Sequence, residues 1–299
     1  MTSPSPLRID DVRSRRDGVS IAAVGVLVLS FDALLIRLAA TSTWNVVFWR
    51  GWLLFAAIAT VMLVTRHPLK LAGGWRSAAA ALVIGAIYGI NSTLFVFSIG
   101  HTSTANTVVI VAAAPFFAAL FSWWFLGERI TRRMLCSIAI AMAGVATIFG
   151  GSVGASNWRG DLAAIVLAIS MGGVLTLLRH FAGLPRLPLL ALSGAIAGLI
   201  ALPLAEPLTL PATSYLWLGL MGLIQIPLAS WLIMLAPRYI PSAEVSLFLL
   251  IETVLGPFWV WLVIHESVPP NTLIGGIIIL GAVALNSWLA LRAARMART

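Results

Sequence analysis

Apolar runs of about 20 residues recur along the chain from residue 18 to residue 291, each closed by a short break of polar or turn-forming residues. A helix crossing a hydrocarbon core of about 30 Å needs about 20 mainly apolar residues. The pattern therefore predicts ten membrane-spanning helices, at 18 to 40, 44 to 65, 75 to 99, 103 to 126, 131 to 149, 158 to 179, 187 to 206, 213 to 236, 242 to 264 and 271 to 291. His67-Pro68, Gly73-Gly74, Gly150-Gly151-Ser152, the stretch from Pro203 to Pro211, and Pro269-Pro270 mark breaks. Residues 1–17 form a polar tail ahead of the first run, which carries no small-residue cleavage site and is expected to stay as a helix. Residues 292–299 form a second, basic tail, and no stretch fits a soluble domain.

Composition sharpens this picture. Of 299 residues, 60% are hydrophobic and only 10% charged, whereas a soluble domain carries about 25% charged residues. A disulfide scaffold is excluded because Cys136 is the single cysteine. A net charge of +9 would suggest a nucleic-acid partner in a soluble protein, but the placement of the charge points elsewhere. With the N-terminus inside, sixteen of the nineteen basic residues fall on cytoplasmic segments: Arg8, Arg13, Arg15, Arg16, Arg66, Lys70, Arg76, Arg129, Arg132, Arg133, Arg179, Arg186, Arg238, Arg292, Arg295 and Arg298. Only Arg159 falls outside, and Arg37 and Arg50 lie within spans. This asymmetry predicts a multi-pass membrane protein with both termini in the cytoplasm and no nucleic-acid partner.

The chain also carries an internal echo. A shift of 138 residues lays Thr104-Ala105-Asn106 over Ser242-Ala243-Glu244, and Leu126-Gly127-Glu128 over Ile264-His265-Glu266; a shift of 142 lays Asp17-Gly18 and Arg37 over Arg159-Gly160 and Arg179. Two five-helix repeats follow, at 18–149 and 158–291. Because five is odd, the second enters the membrane from the opposite side. The predicted fold is an all-α polytopic membrane protein whose two inverted five-helix repeats enclose a central cavity.

The run from Ala112-Ala113-Ala114-Pro115-Phe116-Phe117 to Leu126-Gly127-Glu128-Arg129-Ile130-Thr131, with Gly144-Val145, resembles the repeat signature of the EamA family of the drug/metabolite transporter superfamily. Its second copy reads Leu250-Ile251-Glu252-Thr253-Val254-Leu255-Gly256-Pro257, then Glu266 and Gly275-Gly276, and Phe48-Trp49-Arg50 is similar to the family's second helix. Ser137 and Thr253 depart from the pattern, so the kinks of the two halves need not be equivalent. The resemblance covers nearly the whole chain and implies ten helices in two inverted repeats. More narrowly the chain resembles YddG-type exporters, which release aromatic and other neutral amino acids from bacteria. That resemblance implies an amino acid or small-metabolite substrate and no obligate ATPase subunit.

Ionisable side chains inside a membrane cost several kcal/mol unless paired or wetted, which makes them functional candidates. Glu252 lies near the middle of span nine beside Gly256-Pro257, and Asp32 lies deep in span one. Both are candidates for substrate binding and, with Arg50, for a proton or ion-pair role; the structural alternative is that Arg50 serves one of them as a buried partner. In span three, Tyr88, Asn91, Ser92 and Phe95 follow a spacing of three and four that puts a ring, an amide and a hydroxyl on one stripe, suited to a zwitterion or to close helix packing. Gln225 and Trp231 in span eight complete the candidate binding set. Pro115, Pro227, Gly256 and Pro257 are candidate hinges. Glu244 is expected in a first helical turn, favoured there by the helix dipole, while Glu128 and Glu266 are expected to pair locally and Arg179 to snorkel.

No histidine has metal-ligand spacing, no phosphate loop is present, and no nucleophile constellation supports an enzyme, so neither metal nor cofactor is expected. The expected function is secondary export of neutral amino acids or similar metabolites by alternating access. Two rivals stay open: an exporter of drugs or lipophilic cations, and a channel-like pore or membrane enzyme.

Overall fold

The structure, a computed structural model, describes residues 12–66, 74–102, 107, 110–149, 158–265 and 270–296, and all regular structure among them is helical. In chain order the helices are α1 (Val12–Leu29), α2 (Asp32–Ala39), α3 (Thr43–Val64), α4 (Gly74–His101), α5 (Ala114–Leu126), α6 (Arg132–Phe149) and α7 (Trp158–His180). There follow α8 (Arg186–Ala201), α9 (Ala212–Leu220), a π turn at Met221–Gln225, α10 (Ile226–Leu235), a 3₁₀ turn at Ala236–Arg238, α11 (Ser242–Leu249), α12 (Glu252–Ile264) and α13 (Pro270–Met296). Helices satisfy every backbone group internally, which a chain with so little polar surface requires. Glu266, Lys70, Arg8 and Arg298, and the first residues of the expected fourth span, lie outside the described residues.

Among the described residues, seven helical runs are long and apolar enough to cross a membrane: Ser14–Ala39, Thr43–Val64, Ser77–Phe95, Trp158–His180, Ala212–Arg238, Ser242–Ile264 and Leu273–Arg292. Two of the remaining helices are apolar but shorter, α5 with 13 residues and α8 with 16. α5 begins only after a turn at Ala112-Ala113, where Pro115 opens the helix because its missing N–H costs nothing in a first turn. α8 stops at Ala201, earlier than the expected 206, two residues before Pro203, which has no N–H to continue the ladder.

Two runs expected to be continuous are interrupted. Span one breaks at Ser30-Phe31 and span nine at Leu250-Ile251, so that Asp32 and Glu252 become the first residues of new helices. Neither break contains glycine or proline. In span nine the interruption therefore does not fall at the hinge expected from Gly256 and Pro257, and α12 runs through both. The buried Gly256 instead faces α2, where an added Cβ would touch the Ala33 Cβ at 3.4 Å.

A shift of 138 residues carries the turn at 112–113 onto the turn at 250–251 and α5 onto α12, each 13 residues long. Both helices end on a left-handed residue, Gly127 at φ 67° and His265 at φ 59°. The same shift carries the start of α6 onto the start of α13.

Close approach through glycine sets the packing. An added Cβ on Gly51 of α3 would lie 2.5 Å from the Gly198 nitrogen and 2.7 Å from the Gly194 oxygen of α8, so these two backbones touch. Gly144 and Gly275 bring α6 and α13 together in the same way. α4 packs on α7 and α8, α1 on α10, α5 on α7 and α11, and α2 on α9 and α12. Leu189, Leu190, Met221 and Leu247 are fully enclosed at the centre, while Leu63 at 79% and Ile277 at 73% exposure belong to a surface that is apolar as well.

Candidate functional site

The interruption in span one leaves helical carbonyls without their usual donors; a side chain from one distant span bonds them, and one from another bonds the Ser30 hydroxyl. Gln225 Nε2, placed by the π turn ahead of α10, donates to the carbonyls of Val28 at 3.1 Å and Leu29 at 3.2 Å. Trp259 Nε1 donates to Ser30 Oγ at 2.9 Å, and its ring stacks on Phe31 with centroids 4.4 Å apart. Ser30 Oγ in turn donates to the Leu27 carbonyl at 2.7 Å. The break is thus clamped from both sides, by span eight and by span nine.

Clamping presents Asp32 at the start of α2. Arg50 Nη1, from α3, donates to Asp32 Oδ2 at 2.8 Å. Asp32 is 7% exposed, and its other oxygen, Oδ1, is buried without a hydrogen-bond partner, as is Gln225 Oε1. Glu252, half-buried at the start of α12, is within electrostatic reach of both Asp32 and Arg50. Two carboxylates therefore stand at the positive ends of two half-helices, Asp32 bonded to a guanidinium and Glu252 within its electrostatic reach. With both ionised the group carries an excess negative charge, and the two orphaned oxygens are acceptors. The arrangement is suited to a small cationic group or a proton, while Arg50, whose side chain is 27% exposed, keeps further donors for an anionic one.

The other expected site residues are distributed differently. Asn91 accepts a hydrogen bond from Ser170 Oγ of α7, so its amide joins two helices. Tyr88 is half-buried against the core and in electrostatic reach of Arg186. Ser92 is half-buried, whereas Phe95 at 40% and Trp231 at 39% exposure stand on the outside. On the same helix Gly85 and Gly89 pack on Leu192 and Ile196 of α8. The stripe that helical spacing placed on one face thus serves several neighbours. Pro227, near the start of α10, follows the π turn and frees the helix there to re-register.

Sequence reasoning missed Ser30, Phe31 and Trp259. The dipeptide before Asp32 looks like any apolar span, and Trp259 looks like a residue of the interfacial aromatic belt.

A second polar cluster lies at one end of the bundle. Glu244, only 2% exposed, pairs with Arg15, itself 7% exposed, and has Arg133 Nη2 at 3.6 Å. Arg179 pairs with Glu128 and donates to the carbonyls of Pro237 at 3.0 Å and Ile240 at 2.8 Å. Instead of pairing locally and snorkelling, Glu128 and Arg179 meet across 51 residues of sequence. Glu244 is buried rather than interfacial. Its partners, Arg15 of α1 and Arg133 of α6, come from the other half of the chain.

An all-helical, lipid-compatible bundle with a charged group at helix interruptions defines a multi-pass membrane transporter. The model of the EamA-like transporter family matches twice, at residues 16–150 and 158–288. The chain belongs to that family and is a transporter, not an enzyme. It is 30% identical over 196 residues to the probable terminal-alkyne amino-acid exporter of Streptantibioticus cattleyicolor, covering 62% of this chain and 65% of that protein, just under two thirds of its length. It is 26% identical over 208 residues to the pseudopaline exporter CntI of Pseudomonas aeruginosa, covering 68% and 72%. A crystal structure with 19% identity superposes with a TM-score of 0.77 over 91% of this chain and 98% of the other, which shows the shared fold.

Proposed function

We propose that the protein is a secondary exporter of neutral amino acids or similar small metabolites, with Asp32, Arg50, Gln225 and Glu252 at the centre of its binding site. The observation that carries this is the clamped break in span one, where Arg50 holds Asp32 and unpaired acceptors remain on Asp32 and Gln225. An ammonium group fits the acceptors and a carboxylate fits Arg50. The two exporters named above, of an amino acid and of pseudopaline, agree with such cargo. Tyr88, Asn91, Ser92, Phe95 and Trp231 are proposed to line the remainder of the path in another state of the cycle.

Ten helices in two inverted repeats, 18–149 and 158–291, with short tails at 1–17 and 292–299, are proposed as the membrane architecture. Support comes from the correspondence of α5 with α12 and from two successive family matches. The basic asymmetry of the sequence supports cytoplasmic termini and an inner-membrane location. Alternating access would pivot at Pro115, Pro227 and the α11–α12 break at Leu250-Ile251, with Gly256 and Pro257 a turn further along α12. The excess acidity of the site also favours a rival cargo, a lipophilic cation.

Counterflow in proteoliposomes tests these together. Saturable exchange of labelled phenylalanine across a panel of amino acids is expected. Unsaturable flux would indicate a pore, and flux of organic cations alone would overturn the amino-acid assignment.

A further inference from the structure

Two guanidiniums at the end of the bundle that holds Arg179 have no carboxylate partner among the described residues. Arg186 opens α8 and is 4% exposed; its Nη2 donates to the Leu178 carbonyl at 2.8 Å and its Nη1 to the Phe181 carbonyl at 3.4 Å. Arg238 donates its Nη2 to the Leu184 carbonyl at 2.9 Å. The Nε atoms of both are buried without a partner. The ionisable groups in electrostatic reach of Arg186 are Arg238, which repels it, and Tyr88. No side chain caps the N-terminus of α8, so its helix dipole adds positive potential at the same place.

A guanidinium stays protonated at any biological pH, so it cannot escape burial by losing its proton. Burying Arg186 beside the half-buried Arg238, which repels it, costs several kcal/mol unless an anion neutralises the pair. Carbonyls at the end of α7 and in the turn after it orient the two forks and offset part of this cost, but they carry no net charge and leave both Nε atoms unused. An oxyanion would supply the negative charge that carbonyls lack and accept from the unused Nε donors.

We propose that Arg186 and Arg238, with Tyr88 beyond them, form a carboxylate subsite that receives the acid group of a substrate entering from the cytoplasm. The identity of the anion as a substrate group rests on the export function proposed above; the anion site itself does not. The subsite complements the central one. An entering zwitterion meets cationic groups first at the proposed cytoplasmic end, then carboxylates at Asp32 and Glu252.

Binding to the purified protein in nanodiscs of zwitterionic lipid tests this, with 3-phenylpropanoate as a probe that has only the carboxylate and phenethylamine as one that has only the amine. The wild type is expected to bind 3-phenylpropanoate, and Arg238→Gln to weaken it about tenfold or more, the loss of one charge-assisted hydrogen bond, without changing phenethylamine binding. Arg186→Lys, which keeps the charge but not the fork, serves as a second variant should Arg238→Gln not give monodisperse protein, and is expected to weaken the same probe. No binding of 3-phenylpropanoate to the wild type, or equal affinity in the variants, would overturn the proposal. Displacement of the probe by adding phosphatidylglycerol to the nanodisc would assign the site to a lipid headgroup and overturn its role for substrate. Arg238-dependent binding of 3-phenylpropanoate alongside absent phenylalanine flux would sink the amino-acid assignment and leave the carboxylate site standing.

Discussion

Replacing Glu244 by glutamine tests whether the buried ion pairs hold the end of the bundle closed. Glu244 is 2% exposed, engages Arg15 directly and has Arg133 at 3.6 Å, so one carboxylate balances two guanidiniums drawn from α1 and α6. At an effective dielectric of about 20, a unit-charge pair about 4 Å apart contributes about 4 kcal/mol, much of it offset by desolvation. Glutamine keeps the shape but removes the charge, and the buried Arg15 and the half-buried Arg133 are then left without it. Removing one partner of a buried pair costs about 3 to 5 kcal/mol, and Glu244→Gln is expected to fall in that range. Fluorescence-monitored unfolding of the purified protein measures it, with Arg15→Gln and the double variant completing a cycle whose coupling should reach about 2 kcal/mol. If the cluster closes the cytoplasmic side, as the proposed topology places it, the variant also shifts toward the inward-facing form, read as increased labelling of a cysteine introduced at Ser246, which is buried beside it. A destabilisation below about 1 kcal/mol with no coupling would refute the structural role of the pair.

Three further outcomes follow from other contacts. Gly51→Leu should abolish monodisperse protein because the α3–α8 crossing has no room for a side chain, whereas Gly219→Ala, with nothing within 4 Å of the added Cβ, should leave the elution profile unchanged. Gln225→Leu removes both donors to the Val28 and Leu29 carbonyls, and should lower counterflow activity and cost about 1 to 3 kcal/mol of stability; a variant with wild-type transport would separate the clamp from function. If Glu252 exchanges a proton during transport, Glu252→Gln should lose acceleration by a pH gradient while retaining exchange, and an unchanged pH response would rule out that role.

The distribution of apolar residues determined most of the helical skeleton. α3, α4, α6 and α7 fall within two residues of their expected limits, because the period and length of an apolar run are properties of local sequence. The same holds for the 138-residue echo, which survives in the equal lengths and left-handed ends of α5 and α12. Asp32, Arg50, Gln225 and Glu252 could likewise be picked out singly, since a charge or amide deep in an apolar run is conspicuous wherever it points.

Their meeting was decided by tertiary structure. Nothing at Ser30-Phe31 signals a break: there Gln225, about 200 residues away, donates to backbone carbonyls that the broken helix leaves open, and Trp259 holds the Ser30 hydroxyl. The pairs Arg15 with Glu244 and Arg179 with Glu128 were equally invisible, because an ion pair depends on which helices are neighbours and not on spacing along one helix. Spacing alone could not say which neighbour each residue of the span-three stripe meets, for the same reason. A helical face is shared among several partners, and only the packed bundle determines that Asn91 turns to α7 while Gly85 and Gly89 turn to α8. Local sequence thus set where helices form and which polar groups enter the membrane, and packing set which of those groups share a site.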